Sequence, residues 1–244
     1  MRRIGNLTAR RAAALALALT SGAAGAAAAQ TPGLREARSW GGVGLGLIVG
    51  VPVGEFGYYV SPAPGVTGSF AVNLDRAGVI ALRVDGSYIQ YGNDDRPVSL
   101  AGTGGLVNLD MSTDFFIAAL RAGPQLVLGQ GPVRLYGFGT VGAAYFATWT
   151  SLRDNCGCYD IATTTNYDDG ALSLAGGGGF LIDVSHGHHP VSFDLGATYV
   201  RNGRVTYLRE GSIVENPDGS FTLQPVRSDA NLVLLQLGVS VGLR

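Results

Sequence analysis

Beyond its first 29 residues this chain has no run of about 18 apolar residues, so it carries no membrane-spanning helix there. Charge is also scarce: only 14% of the 244 residues are Asp, Glu, Lys or Arg, and lysine is absent. The missing lysine is a matter of composition and carries no structural conclusion. Taking residues 1–29 away removes Arg2, Arg3, Arg10 and Arg11 and no acid, which leaves 13 basic residues against 18 acidic ones. A net charge near −5 argues against nucleic acid as a partner. Histidine is reduced to three residues in one short stretch, so little is left for histidine-based chemistry elsewhere.

What is present begins with an export signal. The four arginines precede "AAALALALTSGAAGAAAA", a short, weakly hydrophobic stretch ending in small residues. This order of basic, apolar and small residues is that of a signal peptide, cut after Ala29. The paired Arg10 and Arg11 lack the residues that follow them in a twin-arginine motif. The expected division is a signal peptide over 1–29, a short linker over 30–38 and one large all-β domain over 39–244.

That domain opens with "GGVGLGLIVGVPVG", residues 41–54. Val43, Leu45, Leu47, Val49 and Val51 occupy one parity; Gly42, Gly44, Gly46 and Gly50 occupy the other. Period two is the signature of a strand. A soluble half-buried strand pairs its apolar face with a polar one, yet here the second face is almost empty. Seven further segments repeat the alternation. Val66, Phe70 and Val72 oppose Thr67, Ser69 and Ala71; Ile80, Leu82 and Val84 oppose Ala81, Arg83 and Asp85. Phe116, Leu120, Leu126 and Leu128 oppose Ala119, Arg121, Gly123 and Gln125. Leu172, Leu174, Phe180 and Ile182 oppose Ser173, Gly177, Gly179 and Asp183. Phe193, Leu195 and Tyr199 oppose Asp194, Gly196 and Thr198, and Leu235, Leu237 and Val239 oppose Gln236, Gly238 and Ser240. The segment "VRLYGFGTVGAAYFATW" is mixed on both faces; its aromatics Tyr136, Phe138 and Phe146 are assigned outward, with Gly137 and Gly139 inward.

Connections alternate in length. Those near 75–78, 129–132 and 186–189 are tight; those over 52–64, 93–109, 153–169 and 201–231 are long. Short turns at one end and long loops at the other are the habit of outer-membrane barrels. Eight strands close a barrel just wide enough for side chains to fill, which explains small inward residues and large outward ones. The fold class expected is all-β, an eight-stranded antiparallel transmembrane up-and-down β-barrel. "VPVGEFG" after the first strand, "VRLYGFGTVGAAY" in the middle and the repeat ending "LGVSVGLR" together resemble the small outer-membrane barrels of the OmpX and OmpA transmembrane type, found in Gram-negative envelopes. The resemblance spans residues 39–244. It departs from that family in ending Leu243-Arg244, where such proteins usually carry an aromatic residue.

Candidate chemistry is sparse. His186, His188 and His189 share "SHGHHP", and imidazole binds zinc, copper and nickel. Near-adjacent residues on a tight turn converge poorly on one ion, so a solvated turn is the expectation and these three are weak metal candidates. Cys156 and Cys158 in "DNCGCYD" form a candidate loop-local disulfide in an oxidising compartment, although a ring spanning one residue is strained. The carboxylate pairs Asp94-Asp95 and Asp168-Asp169 read as solvated loop groups. Trp40 at the turn end, with Tyr58, Tyr59, Tyr91, Trp149 and Tyr207 toward the loop end, are candidates for interfacial girdles. Inside the barrel, Arg83, Asp85, Arg121, Asp194 and Gln236 fall at similar heights and are expected to form a polar network that plugs the lumen, since an unpaired buried charge costs several kcal/mol.

The function expected is that of a non-enzymatic, monomeric outer-membrane barrel without cofactor. It would have an envelope-structural or surface-interaction role, contacting outer-membrane lipid, lipopolysaccharide and a surface partner through long loops. Two alternatives stand beside it. A soluble exported barrel of lipocalin type would turn the Val and Leu face inward to hold a small apolar ligand. A lipid-modifying enzyme of the outer leaflet would need a histidine near the loop end, where the chain places none.

Overall fold

The computed structural model describes residues 40–99, 108–129, 131–153, 160–185, 189–216 and 221–243. Eight strands make the barrel wall: β1 (Gly41–Val53), β2 (Ala63–Asn73), β3 (Ile80–Ser99), β4 (Asn108–Leu128), β5 (Val133–Arg153), β6 (Asp160–Ser185), β7 (Val191–Asn202) and, at the end of the chain, β12 (Asn231–Leu243). Every neighbouring pair is antiparallel, and β1 closes on β12, so the sheet has no edge around its base. Between β7 and β12 lie four short strands: β8 (Arg204–Tyr207), β9 (Ile213–Glu215), β10 (Phe221–Leu223) and β11 (Val226–Asp229). They pair β8 with β11 and β9 with β10 in two small sheets.

Register explains the alternation. Following cross-strand partners around the wall from β3 gives Tyr88, Val66, Leu47, Leu237, Leu195, Phe180, Leu135 and Leu128, one residue from each of the eight strands. All eight are exposed, Leu47 at 66% and Leu237 and Leu128 at 57%. One step along the other seven strands the row becomes Ser87, Thr67, Gly46, Gly238, Asp194, Leu181 and Arg134, and it begins on β4 at Ala119, next to Ala118, the partner of Tyr88. Large apolar groups therefore ring the outside, while small and polar groups line much of the inside. Gly46 and Gly238 are direct partners across the closing seam. A Cβ added at Gly238 would lie 2.6 Å from Leu45 O and 3.0 Å from Gly46 Cα, which is why the inner face of this seam is nearly bare.

Strand β5 corrects the expected facing. Tyr136 and Phe146 are buried, and Phe138 lies beneath the Arg83 guanidinium at 4.4 Å, so all three point inward. Gly137 and Gly139 point outward, where a Cβ at Gly139 would meet nothing within 4 Å. The reason is complementary volume. Tyr136 stands opposite Gly179 and Phe138 opposite Gly177, so the inward glycines of β6 make room for the inward rings of β5. Gly196 on β7 continues that space, since its Cβ would come 2.5 Å from Tyr136 Oη.

The long connections are also shorter than expected. β3 and β4 remain paired out to Ser99–Asn108, and β5 and β6 out to Arg153–Asp160. Much of the expected loop over 93–109 and 153–169 is thus strand that continues past the ends of β2 and β7. At the opposite end, Asp75 organises a tight turn. Its carboxylate accepts from Ala77 N at 3.0 Å and Ile80 N at 2.8 Å, and Gly78 takes φ +63°. The hydrogen bond from Ile80 N holds the Asp75 carboxyl below its ordinary pKa.

Candidate functional site

The lumen has two layers. In its turn-end half, Arg121 is 3% exposed and extends from β4 toward Asp85 on β3. Its Nε donates to Asp85 Oδ2 at 3.0 Å, and an Nη stands 2.8 Å from the same oxygen. The guanidinium also donates to Ser87 Oγ at 3.2 Å and Ser173 Oγ at 3.5 Å. Arg83 donates to Gln125 Oε1 at 3.0 Å and stacks on Phe138, while its Nε faces Asp85 Oδ1 at 3.8 Å. Asp194 takes one hydrogen bond from Tyr136 Oη at 2.6 Å and one from Gln236 Nε2 at 2.8 Å. Nearer the turns, Arg134 reaches Asp183 at 2.6 Å and Ser192 Oγ at 3.1 Å.

The structure therefore brings Arg83, Asp85 and Arg121 into one cluster and Asp194 and Gln236 into a second, with Tyr136 and the Arg83 side chain between them. Three arginines face three aspartates in this layer (Arg83, Arg121 and Arg134 against Asp85, Asp183 and Asp194), so its formal charges cancel. A cavity of about 90 Å3 remains at the turn end, walled by Gly42, Gly44 and Ser69 on one side and by Arg83, Arg134 and Tyr136 on the other. Sequence reasoning missed Tyr136 and Phe138 because their strand offers apolar residues in both parities. The pair Arg134–Asp183 was open to counting, since both residues alternate with the outward Leu135 and Ile182.

The loop-end half is apolar. Ile48, Ile89, Ile117, Phe146, Val200, Leu232 and Leu234 point inward and are buried. They pack against Phe56 and Val60 from the β1–β2 connection and against Val205 and Tyr207 from β8. The rings of Phe56 and Tyr207 meet edge to face, centroids 5.2 Å apart, and both touch Phe146. The expectation of a small and polar lumen thus fails at this end, where Leu232 and Leu234 continue the inward parity of Gln236.

Over this layer the segment from β8 to β11 forms a lid. Asn202 Nδ2 donates to Ala230 O at 2.7 Å where the segment leaves the wall. Tyr91 Oη donates to Leu208 O at 2.9 Å, Asn93 N to Glu210 Oε1 at 3.1 Å and an Arg96 Nη to Ile213 O at 3.1 Å, which ties the lid to β3 across the mouth. Thr206 N donates to Asp169 Oδ2 at 2.8 Å, a second fastening, to β6. Asp169 thus serves as an acceptor for the lid rather than as a solvated loop group.

Two girdle candidates are corrected by these contacts: Tyr91 and Tyr207 are lumen residues. Trp149 is 46% exposed and stacks its edge on Phe116, which lies beside Tyr88, so an outward aromatic cluster does occupy the loop end. Trp40 packs on Phe70 at the turn end. Tyr58 and Tyr59 belong to the β1–β2 connection above the wall. His189 is exposed, its Nδ1 3.4 Å from Gly242 O. His186, His188, Cys156, Cys158 and the expected signal peptide lie outside the described residues. Among the described residues no three of His, Cys, Asp and Glu gather as a metal site.

Fold and site define a closed eight-stranded antiparallel barrel with an apolar outer belt, a charge-paired inner layer and a capped mouth. The chain is similar to Neisserial surface protein A, at 15% identity over 85% of this chain and 99% of that one, with a TM-score of 0.46. Ail, the attachment invasion locus protein of Yersinia pestis, is similar at 16% identity over 84% of this chain and 98% of its own, TM-score 0.45. A major outer membrane protein from Thermus thermophilus shares 14% identity over 81% and 98% of the two chains, TM-score 0.38. No protein-family model and no curated protein matches the chain.

Proposed function

We propose that this protein is a non-enzymatic β-barrel of a bacterial outer membrane, exported by residues 1–29 and inserted as a domain over 39–244. Its lumen is closed, and its role is envelope-structural or surface-interacting through the loop end. The observation that carries the reading is the exposed apolar row from Tyr88 around to Leu128, which crosses all eight strands. Soluble monomers rarely expose a contiguous apolar patch beyond a few hundred Å2, whereas a lipid-facing wall requires one. Closure of the sheet serves the same end, because lipid offers no partner to a free backbone group.

The soluble lipocalin-type reading needs the opposite facing. Leu47 and Leu237 would have to look inward, in the place taken by Gly46, Gly238 and Asp194. For an enzyme of the outer leaflet, the described loop end offers no histidine. Membrane fractionation with a gel-mobility test of boiled and unboiled samples checks the proposal. The expected result is recovery with the outer membrane and a shift in mobility on boiling. Recovery in the soluble fraction with unchanged mobility overturns it.

A further inference from the structure

The turn-end cavity of about 90 Å3 has two unlike walls. One is bare: Gly42, Gly44 and Ser69 come from β1 and β2 beside the closing seam. The other carries Arg83, Arg134 and Tyr136. The Arg83 guanidinium lies 5.9 Å from the centre of the Tyr136 ring. Arg134 stands two residues before Tyr136 on the inward face of β5, about 7 Å along the strand. Two guanidinium groups thus flank one ring and border one space.

Their hydrogen bonds leave something over. Arg83 gives an Nη to Gln125 Oε1, and Arg134 gives an Nη to Asp183 and to Ser192 Oγ. Both Nε atoms are buried, and among the described residues neither has a hydrogen-bond partner. Asp85 Oδ1 faces Arg83 Nε at 3.8 Å, which is too far for a hydrogen bond. Asp85 and Asp183, which balance the two arginines, do not line the cavity. Asp194 does, but its oxygens already accept from Tyr136 Oη and Gln236 Nε2. The side-chain atoms left over on this wall are therefore donors, and a buried donor left unmet is unfavourable.

The volume admits about three waters or one solute of similar size. Water brings donors along with its acceptors. A carboxylate brings acceptors only, two oxygens spaced to meet guanidinium N–H groups. Because the formal charges of this layer already cancel, one added negative charge is favoured over two. We propose that the cavity binds one small monocarboxylate of acetate size, held by Arg83 and Arg134 against the glycine wall. The site goes beyond the membrane reading and does not need it, because the cavity belongs to the barrel wall and its turns.

NMR spectra of the arginine Nε–H groups of the detergent-folded barrel, titrated with sodium acetate, test the site. The Arg83 and Arg134 resonances are expected to shift saturably with acetate, and not with chloride or sulfate at equal ionic strength. Gly42→Leu fills the cavity from its bare wall, where a Cβ meets nothing nearer than Val241 O at 3.4 Å. It is expected to abolish the response while leaving both arginines in place. The charge-neutral pair Arg134→Gln with Asp183→Asn is expected to weaken acetate binding, read at Arg83, by about tenfold. No saturable shift in the wild type, or an undiminished one in Gly42→Leu, overturns the site, and the cavity then holds water. An equal response to chloride overturns the carboxylate assignment, and an equal response to sulfate overturns the choice of a monoanion. Should Gly42→Leu fail to fold, Ser240→Leu, which also lines the cavity, carries the same comparison. A boiled-against-unboiled mobility shift reports the membrane reading separately.

Discussion

Replacing Arg121 with alanine removes the group that satisfies Asp85. The carboxylate then loses the 3.0 Å and 2.8 Å contacts on Oδ2 and keeps only Arg83, 3.8 Å from its other oxygen. Both side chains are at most 6% exposed, so water does not take over. Removing one partner of such a buried pair costs about 3–5 kcal/mol, most of it the stranded charge. The double variant Arg121→Met with Asp85→Leu removes both ends and leaves Arg83 its bond to Gln125 and its stack on Phe138. It is expected to recover much of the loss, with a coupling of about 1–3 kcal/mol. Urea unfolding of the inserted barrel in phosphatidylcholine vesicles measures all four corners of the cycle. A single-variant cost below about 1 kcal/mol, or strictly additive changes, refutes the pairing. The apolar layer above the network adds a second expectation: Arg121→Ala by itself leaves planar bilayers non-conducting. Steady porin-sized conductance from the folded wild type would refute a closed lumen outright.

Leu47→Arg and Leu237→Arg each place a charge on the lipid face and are expected to lower unfolding stability in vesicles by about 2–4 kcal/mol. Gly238→Val, one residue along, should impair insertion by a different cause, collision with Leu45 O and Gly46 Cα, and Gly46 offers no side chain to move aside. Phe56→Ala empties the centre of the loop-end cluster and should cost about 3–5 kcal/mol by the same unfolding assay. Asp75 has a folded-state pKa below its unfolded one, so its contribution to stability is present above the unfolded value and is lost as pH falls through the folded value. Asp75→Asn should therefore flatten the acid limb of the stability profile relative to wild type.

Strand number, closure and most of the outward face were legible because period-two alternation reports facing directly. Leu45 and Leu47 alternate with Gly44 and Gly46, and Leu237 and Val239 with Gly238 and Ser240, so the outward parity is unambiguous there. β5 was not legible, because Tyr136 and Leu135 are adjacent and both large. Only the glycines of β6 opposite Tyr136 and Phe138 give these rings room inside, and that information sits some forty residues away. Arg83, Asp85 and Arg121 were readable from counting heights, whereas the bond of Asp194 to Tyr136 depended on the facing of β5. The apolar layer was hidden because its parts come from three separate connections and wall segments, each too short to show a pattern. Tyr91 and Tyr207 read locally as interfacial aromatics; they join Phe56 in the core only when the lid crosses the mouth.

The fastening of the lid sets an order of events during folding. Tyr91 Oη to Leu208 O and Asn93 N to Glu210 join residues more than a hundred positions apart, and Asp229 N lies 3.4 Å from the Glu55 carboxylate near the opposite end of the domain. The lid belongs to the hairpin that includes β12, the strand that must find β1. None of its bridges to β3 gains anything until that seam has closed, and loop-closure entropy is lost before such distant contacts return stability. Lid docking is thus a late step, and a barrel that has inserted but not yet docked it shows Phe56, Val205 and Tyr207 to water. A slow phase reporting burial of these rings should follow strand insertion, and slowing seam closure should delay it in step.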